Sequence, residues 1–429
     1  MSKNSKKGIG YLEATSIGIG GMVGGGIFAV LGLAVQLARG GAPVAFAIAG
    51  VVALVTAYSY SRLSVTYQSE GGTVAFIDRV FGSNFFTGAT NILLWISYII
   101  MLSLYSYAFG SYGASLFPEG SHLFWKHILI SASIIGFTGL NLMSAKFIGE
   151  AENIIVVIKL GILLLFIGIG IWAVDPGKVA PSSWAPSFQL IAGGMIIFLA
   201  YEGFELIANT AGDVEDPSST LPKAFFSAVG FVMVLYVLIA LVTAGNLPVH
   251  KIVEAKDYAL AAAARPFLGQ SGFLLITIAA LLSTASAINA TVYGSARVSY
   301  IIARDGELPE ELEHKAWNQP IEGLLITSGT TLLVANFLDL SSLSTMGSAG
   351  FLMIFAAVNC ANAIKAKETV SRRWIPVLGI LLCISALICL IWQTATSKPV
   401  NLLILAVMLA LSFSIEGCFR IFTGRQIRL

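Results

Sequence analysis

Charge is scarce in this chain. Asp, Glu, Lys and Arg make up 11% of its 429 residues, against about 25% in an ordinary soluble protein. That is too little to coat a water-facing surface, so the surface must face lipid. A formal net charge of +2 supplies no basic field for nucleic acid. Histidine is sparse too: His122, His127, His250 and His314 fall in or beside loops, which argues against a histidine metal site. The four cysteines, Cys360, Cys383, Cys389 and Cys418, lie in late apolar segments without metal-ligand spacing and read as buried thiols. No nucleophile–base pair stands in the apolar segments, so no enzyme chemistry and no cofactor is expected. The N-terminus, MSKNSKKGIGYLEATS, lacks the apolar core and cleavage pattern of a signal peptide. The first apolar segment is therefore expected to stay.

What is abundant is hydrophobic residues, 56% of the chain, with a mean hydropathy of +0.84. A helix needs about 20 apolar residues to cross about 30 Å of hydrocarbon. Twelve stretches qualify: 11–37, 43–67, 83–116, 123–144, 148–174, 188–212, 220–244, 268–303, 321–338, 343–364, 374–393 and 399–421. None alternates with period two, which sets aside a barrel. The expectation is an all-α polytopic membrane protein with 12 transmembrane helices. Most of the 25 basic residues fall on the side of the N-terminus, among them Lys3, Lys6, Lys7, Arg79, Arg304, Lys365, Arg372 and Arg373. Such asymmetry places both termini in the cytoplasm of a cell-membrane protein. Glu150 and Glu152, before the fifth span, read as interfacial.

Two spans carry built-in breaks. GIGGMVGGGIF (Gly18–Phe28) has six glycines in eleven residues, and Tyr201-Glu-Gly-Phe-Glu205 interrupts the apolar run of span six. Glycine costs a helix interior about 1 kcal/mol relative to alanine. Unwound backbone inside a bilayer is tolerated where it lines a cavity, and breaks at matching positions in two halves mark a transporter's binding site. The long third and eighth spans match as well. The pattern is two five-span repeats, inverted because five is odd, in residues 1–174 and 188–364, with spans eleven and twelve in 374–429. The competing reading of the glycines is close helix packing, since Gly20 and Gly24, and Gly21 and Gly25, have GxxxG spacing. A nucleotide loop does not fit, because no GKS or GKT follows.

These stretches resemble a known family. GGMVGGGIF in span one and FLAYEGFE in span six are similar to the signatures of the amino acid–polyamine–organocation superfamily. SEGGTVAFIDRVFG (Ser69–Gly82), DPSSTLPKA (Asp216–Ala224) and SAINATVYGSARVSYIIARDGELP (Ser286–Pro309) resemble its connecting segments. The resemblance covers spans one to eight in order. It implies a LeuT-type fold of five-plus-five inverted repeats, with broken helices 1 and 6, that carries amino acids by alternating access. It also implies that Gly24, Gly25 and Gly26, flanked by Val23 and Ile27, bind the substrate carboxylate through backbone N–H groups, as the start of a half-helix can. Carbonyls around Phe198, Ala200 and Tyr201, beside Gly203, would take the ammonium. Met22, Phe204, Ser97, Tyr98 and Leu102 would form walls. Glu205 reads as orienting the span-six break or gating a proton, and equally as a structural carboxylate that accepts backbone hydrogen bonds.

Lys159 stands in IIVVIKLGILLLF, where a lysine costs about 2.5–3.5 kcal/mol on insertion scales. Burial disfavours the charged form of an amine, so protons can load and leave. In proton-coupled relatives a fifth-span lysine stands where sodium-coupled relatives hold sodium. The coupling ion is accordingly expected to be a proton rather than sodium, with Lys159 linking the first break to Ser283 or Ser286. A fixed structural cation is the competing reading. The functional expectation is a proton-coupled amino acid symporter, monomeric or homodimeric. An amino acid/amine exchanger is the alternative, and a non-transporting sensor of the same fold is a more distant one.

Overall fold

The two segments that glycine interrupts are the two that bend. The computed structural model describes residues 8–69, 71–143, 148–313 and 320–423. Lys3, Lys6, Lys7, Glu70 and His314 lie outside the described residues, as do the side chains of Glu150 and Glu152. Span one is a pair of helices, Tyr11–Met22 and Gly26–Ala38, turned by 49° at the junction. Span six is Ser187–Ile196 followed by the tighter turns Phe198–Tyr201 and Phe204–Thr210, turned by 50°.

The other long helices are Ala42–Thr66, Phe85–Ala114, His122–Met143, Ile148–Gly170, Pro217–Asn246, Ala259–Arg304, Leu340–Ile364, Trp374–Ser397 and Pro399–Thr423. With the bent pairs, up to eleven segments among the described residues are long and apolar enough to cross a membrane. The expected ninth span is a helix of 17 residues, Ile321–Phe337, about 26 Å long and short of the hydrocarbon thickness. The twelve expected stretches fall on up to eleven candidate spans and one shorter apolar helix among the described residues. Among the described residues no β-strand forms, and pairing is confined to isolated bridges such as Ile9 with Val214. The chain is an all-helical polytopic membrane protein.

Span two runs along span seven, span three along span eight, and the first half of span one against span seven. Ala259–Arg304 is two helices joined across non-helical backbone at Gly269 (φ 64°), so the expected eighth span starts at that kink and a further helix precedes it. The segments before it, Val249–Glu254 and Lys256–Tyr258, lie over Gly26–Ala38. They are latched there by Tyr107, whose hydroxyl donates to Asp257 at 3.1 Å and accepts from Lys126 Nζ at 3.0 Å.

On the N-terminal face, the short helix Gly72–Phe81 is tied to spans three and eight by one buried amide. Asn91 Nδ2 donates to Asp78 Oδ1 and to Glu307 Oε2, each at 2.7 Å. Burial, then the neighbouring Asp305 charge, pushes Asp78 up to about 7, and burial with the Asp78 charge pushes Glu307 up to about 8. Both carboxyls hold protons in the folded state that an unfolded chain would release above its ordinary carboxylate range. Folding stability from this cluster therefore rises as pH falls from about 8 toward about 4.5. Thermal unfolding of the detergent-solubilised protein should show a higher Tm at pH 6 than at pH 8.5. Glu307→Gln, neutral at both, should reduce that difference; an unchanged difference would contradict the assignment.

Candidate functional site

Breaking a helix frees carbonyls on one side of the gap and N–H groups on the other. In span one the carbonyls all find donors. Gly20 accepts from Lys159 Nζ at 3.1 Å, Gly21 from Gly24 N at 3.1 Å, and Met22 from the Tyr236 hydroxyl at 2.7 Å. Ser283 Oγ donates to Val23 at 2.7 Å and also contacts the Gly24 carbonyl. The N–H groups opening the second half-helix, those of Gly25, Gly26 and Ile27, meet no acceptor among the described residues. Unpaired donors are costly in an interior, and three converging at a helix N-terminus form an anion site.

Span six supplies the facing surface. Ser344 and Ser348 hold the Ile196 carbonyl, and Ser348 Oγ accepts from Leu199 N at 3.1 Å. No donor outside the segment's own turns meets the Ala200 and Tyr201 carbonyls among the described residues. A Cβ built on Gly26 would lie 2.8 Å from Ala200 Cα and 3.2 Å from its oxygen, so that carbonyl faces the first break. Gly203 turns at φ +114°, and a Cβ there would sit 2.5 Å from the main chain of Gly21 and Met22. The breaks touch backbone to backbone. Gly18 instead packs against Ile207 and Ala228, and Gly24 against Ala287.

A cavity of about 60 Å³, room for about four waters, extends from the breaks toward the N-terminal face. Tyr98, Tyr105, Glu202 and Ser286 line it, with Asn209 and Thr291 farther along. Tyr98 donates to Glu205 Oε1 at 3.3 Å, and Glu205 Oε2 accepts from Gly203 N at 2.8 Å. Tyr105 donates to Glu202 Oε2 at 2.9 Å.

The expected walls divide. Tyr98 lines the cavity, whereas Ser97 turns to Gly350 of span ten and Leu102 is packed in the core. Phe204 lies in an aromatic cluster with Tyr60, Phe225 and Phe355, and Phe198 packs on Phe355. The Tyr201 hydroxyl reaches the Phe46 carbonyl at 2.8 Å, and Met22 is fully buried. Lys159 and Ser283 grip the first break from two sides, and Ser286 stands in the cavity. Sequence reasoning missed Tyr105, Tyr236 and Asn209. Tyr105 had a signal: it follows Tyr98 by seven residues, two turns along the same helix face.

Comparison with known proteins agrees with this architecture. The amino acid permease family model matches residues 9–413. The chain is 38% identical to an uncharacterized protein of Methanocaldococcus jannaschii over 93% of its own length and 92% of that protein's. It is 37% identical to the inner membrane transport protein YbaT of Escherichia coli, over 83% of each chain. It is 27% identical to the methylthioribose transporter of Bacillus subtilis, over 91% of this chain and 88% of that one. With the two breaks, the open donors and these likenesses together, the chain belongs to the amino acid permease family of the amino acid–polyamine–organocation superfamily and is a membrane transporter.

Proposed function

We propose that the protein is a proton-coupled symporter of amino acids, working by alternating access in the cell membrane with both termini cytoplasmic. One observation carries the substrate reading: in the first break the carbonyls are satisfied while the Gly25, Gly26 and Ile27 N–H groups meet no acceptor among the described residues. A carboxylate fits such a site, and the Ala200 and Tyr201 carbonyls offer acceptors to an adjacent ammonium. A sugar thioether such as methylthioribose has no carboxylate to place there. With both termini cytoplasmic, a cavity leading to the N-terminal side and a latch on the opposite face support an inward-facing reading.

Uptake in proteoliposomes, with labelled amino acids in competition and with or without a pH gradient, tests the reading. Accumulation of an amino acid that follows the gradient is the expected result. Failure of every amino acid to compete would overturn it. Gly25→Leu should abolish uptake while leaving the yield of membrane-inserted protein largely intact, because the added side chain covers the open donors and overlaps the Tyr105 ring. Unchanged uptake would remove Gly25 from the site.

A further inference from the structure

Tyr105 occupies a position that the open donors make significant. Its ring lies against Gly25, so close that a Cβ there would overlap it, and its hydroxyl is held by Glu202. Glu202 is the one charged side chain among the described residues lining the cavity, and it is 5% exposed. A carboxylate is costly in such a place unless it has donors. The tyrosine hydroxyl provides one, and the neighbouring Glu205 carboxyl shares a side-chain hydrogen bond with Glu202.

An α-amino acid carries the two groups this arrangement needs. Its carboxylate suits the N–H groups that the Tyr105 ring flanks, and its ammonium has three donors, more than a hydroxyl can offer. Hydrogen bonds to charged groups exceed neutral ones, so an ammonium outcompetes the tyrosine at Glu202.

We propose that Glu202 is an ammonium subsite capped by the Tyr105 hydroxyl, and that an arriving amino acid displaces that hydroxyl. The assignment rests on the amino acid reading above and deepens it. It restricts the cargo to compounds with a free amino group and disfavours a second carboxylate, because an acidic side chain would bring like charge to Glu202 in a poorly screened interior.

The test uses full-length protein in proteoliposomes and the amino acid that the wild type carries best, with its amine-free analogue as competitor. Glu202→Gln is expected to raise the half-saturating concentration at least about tenfold with little change in maximal rate. It should also narrow the gap between amino acid and analogue. Tyr105→Phe, which frees Glu202, is expected to lower the half-saturating concentration, and Glu202→Asp to recover part of the discrimination. A Glu202→Gln protein with unchanged discrimination, or one that loses maximal rate alone, overturns the subsite. A wild type that carries no amino acid overturns both readings, whereas one that does, with Glu202→Gln unaltered, overturns this one alone.

Discussion

Replacing Gly203 with alanine is expected to abolish uptake and to lower the Tm of the solubilised protein. Two separate costs meet at this residue. At φ +114° an L-residue is in a region it rarely adopts, with strain of about 1–3 kcal/mol. In addition, the new methyl would stand 2.5 Å from the carbonyl carbon of Gly21 and the nitrogen of Met22. Main chain cannot rotate away as a side chain can, so the breaks would have to separate. The strain alone corresponds to about five- to 150-fold in an equilibrium. Gly21→Ala probes the same junction from the other side, where a methyl would meet the Gly203 oxygen at 2.8 Å. Its own backbone is helical, so it should be the milder variant. Size-exclusion behaviour, thermal unfolding and uptake, measured on both, give the ranking. Wild-type uptake by Gly203→Ala would show that the breaks are not pressed together in the working transporter.

Both breaks were legible because their signals are local. Glycine density at Gly18–Phe28 and a carboxylate pair inside an apolar run need no knowledge of the partner surface, and the bends fall there at 49° and 50°. Span lengths were legible for the same reason, the eighth helix included. Its expected start at 268 falls beside the non-helical Gly269, and a separate helix reaches back from there to Ala259. What was not legible is phase. Span three is buried on nearly every side, so hydrophobic periodicity does not say which face meets the cavity. Ser97 and Leu102 were placed there with Tyr98, and the structure turns them to span ten and the core instead. Phe204 escapes for a related cause: in a broken helix the direction of a side chain depends on how the chain unwinds, and its ring packs on Tyr60 of span two and Phe355 of span ten. The serines of spans eight and ten that cap the freed carbonyls, Ser283, Ser344 and Ser348, are distant in sequence from the groups they serve.

Replacing Lys159 with alanine is expected to eliminate accumulation driven by a pH gradient. The side chain is fully buried in span five, and its ammonium donates to the Gly20 carbonyl, one residue from the Gly21–Gly203 contact. A proton gained or lost at Lys159 therefore acts on the hinge of the first span, whose next carbonyls are held from the other side by Ser283. Charged, the amine grips the half-helix Tyr11–Met22; neutral, it loses a charge-assisted bond worth about 1.5–3 kcal/mol. Under the proposed coupling role, removing the side chain would sever the gradient from the hinge yet leave the N–H groups of Gly25, Gly26 and Ile27 in place. Exchange of labelled for unlabelled substrate should then survive in Lys159→Ala while net accumulation does not. Lys159→Arg separates coupling from a structural role. A guanidinium keeps the charge and does not deprotonate in proteins, so a fixed cation would be replaced with function retained. A residue that must release its proton would be locked, and accumulation would fail. Gradient-driven accumulation by either variant would remove Lys159 from the coupling path and leave it as a strut for the broken helix.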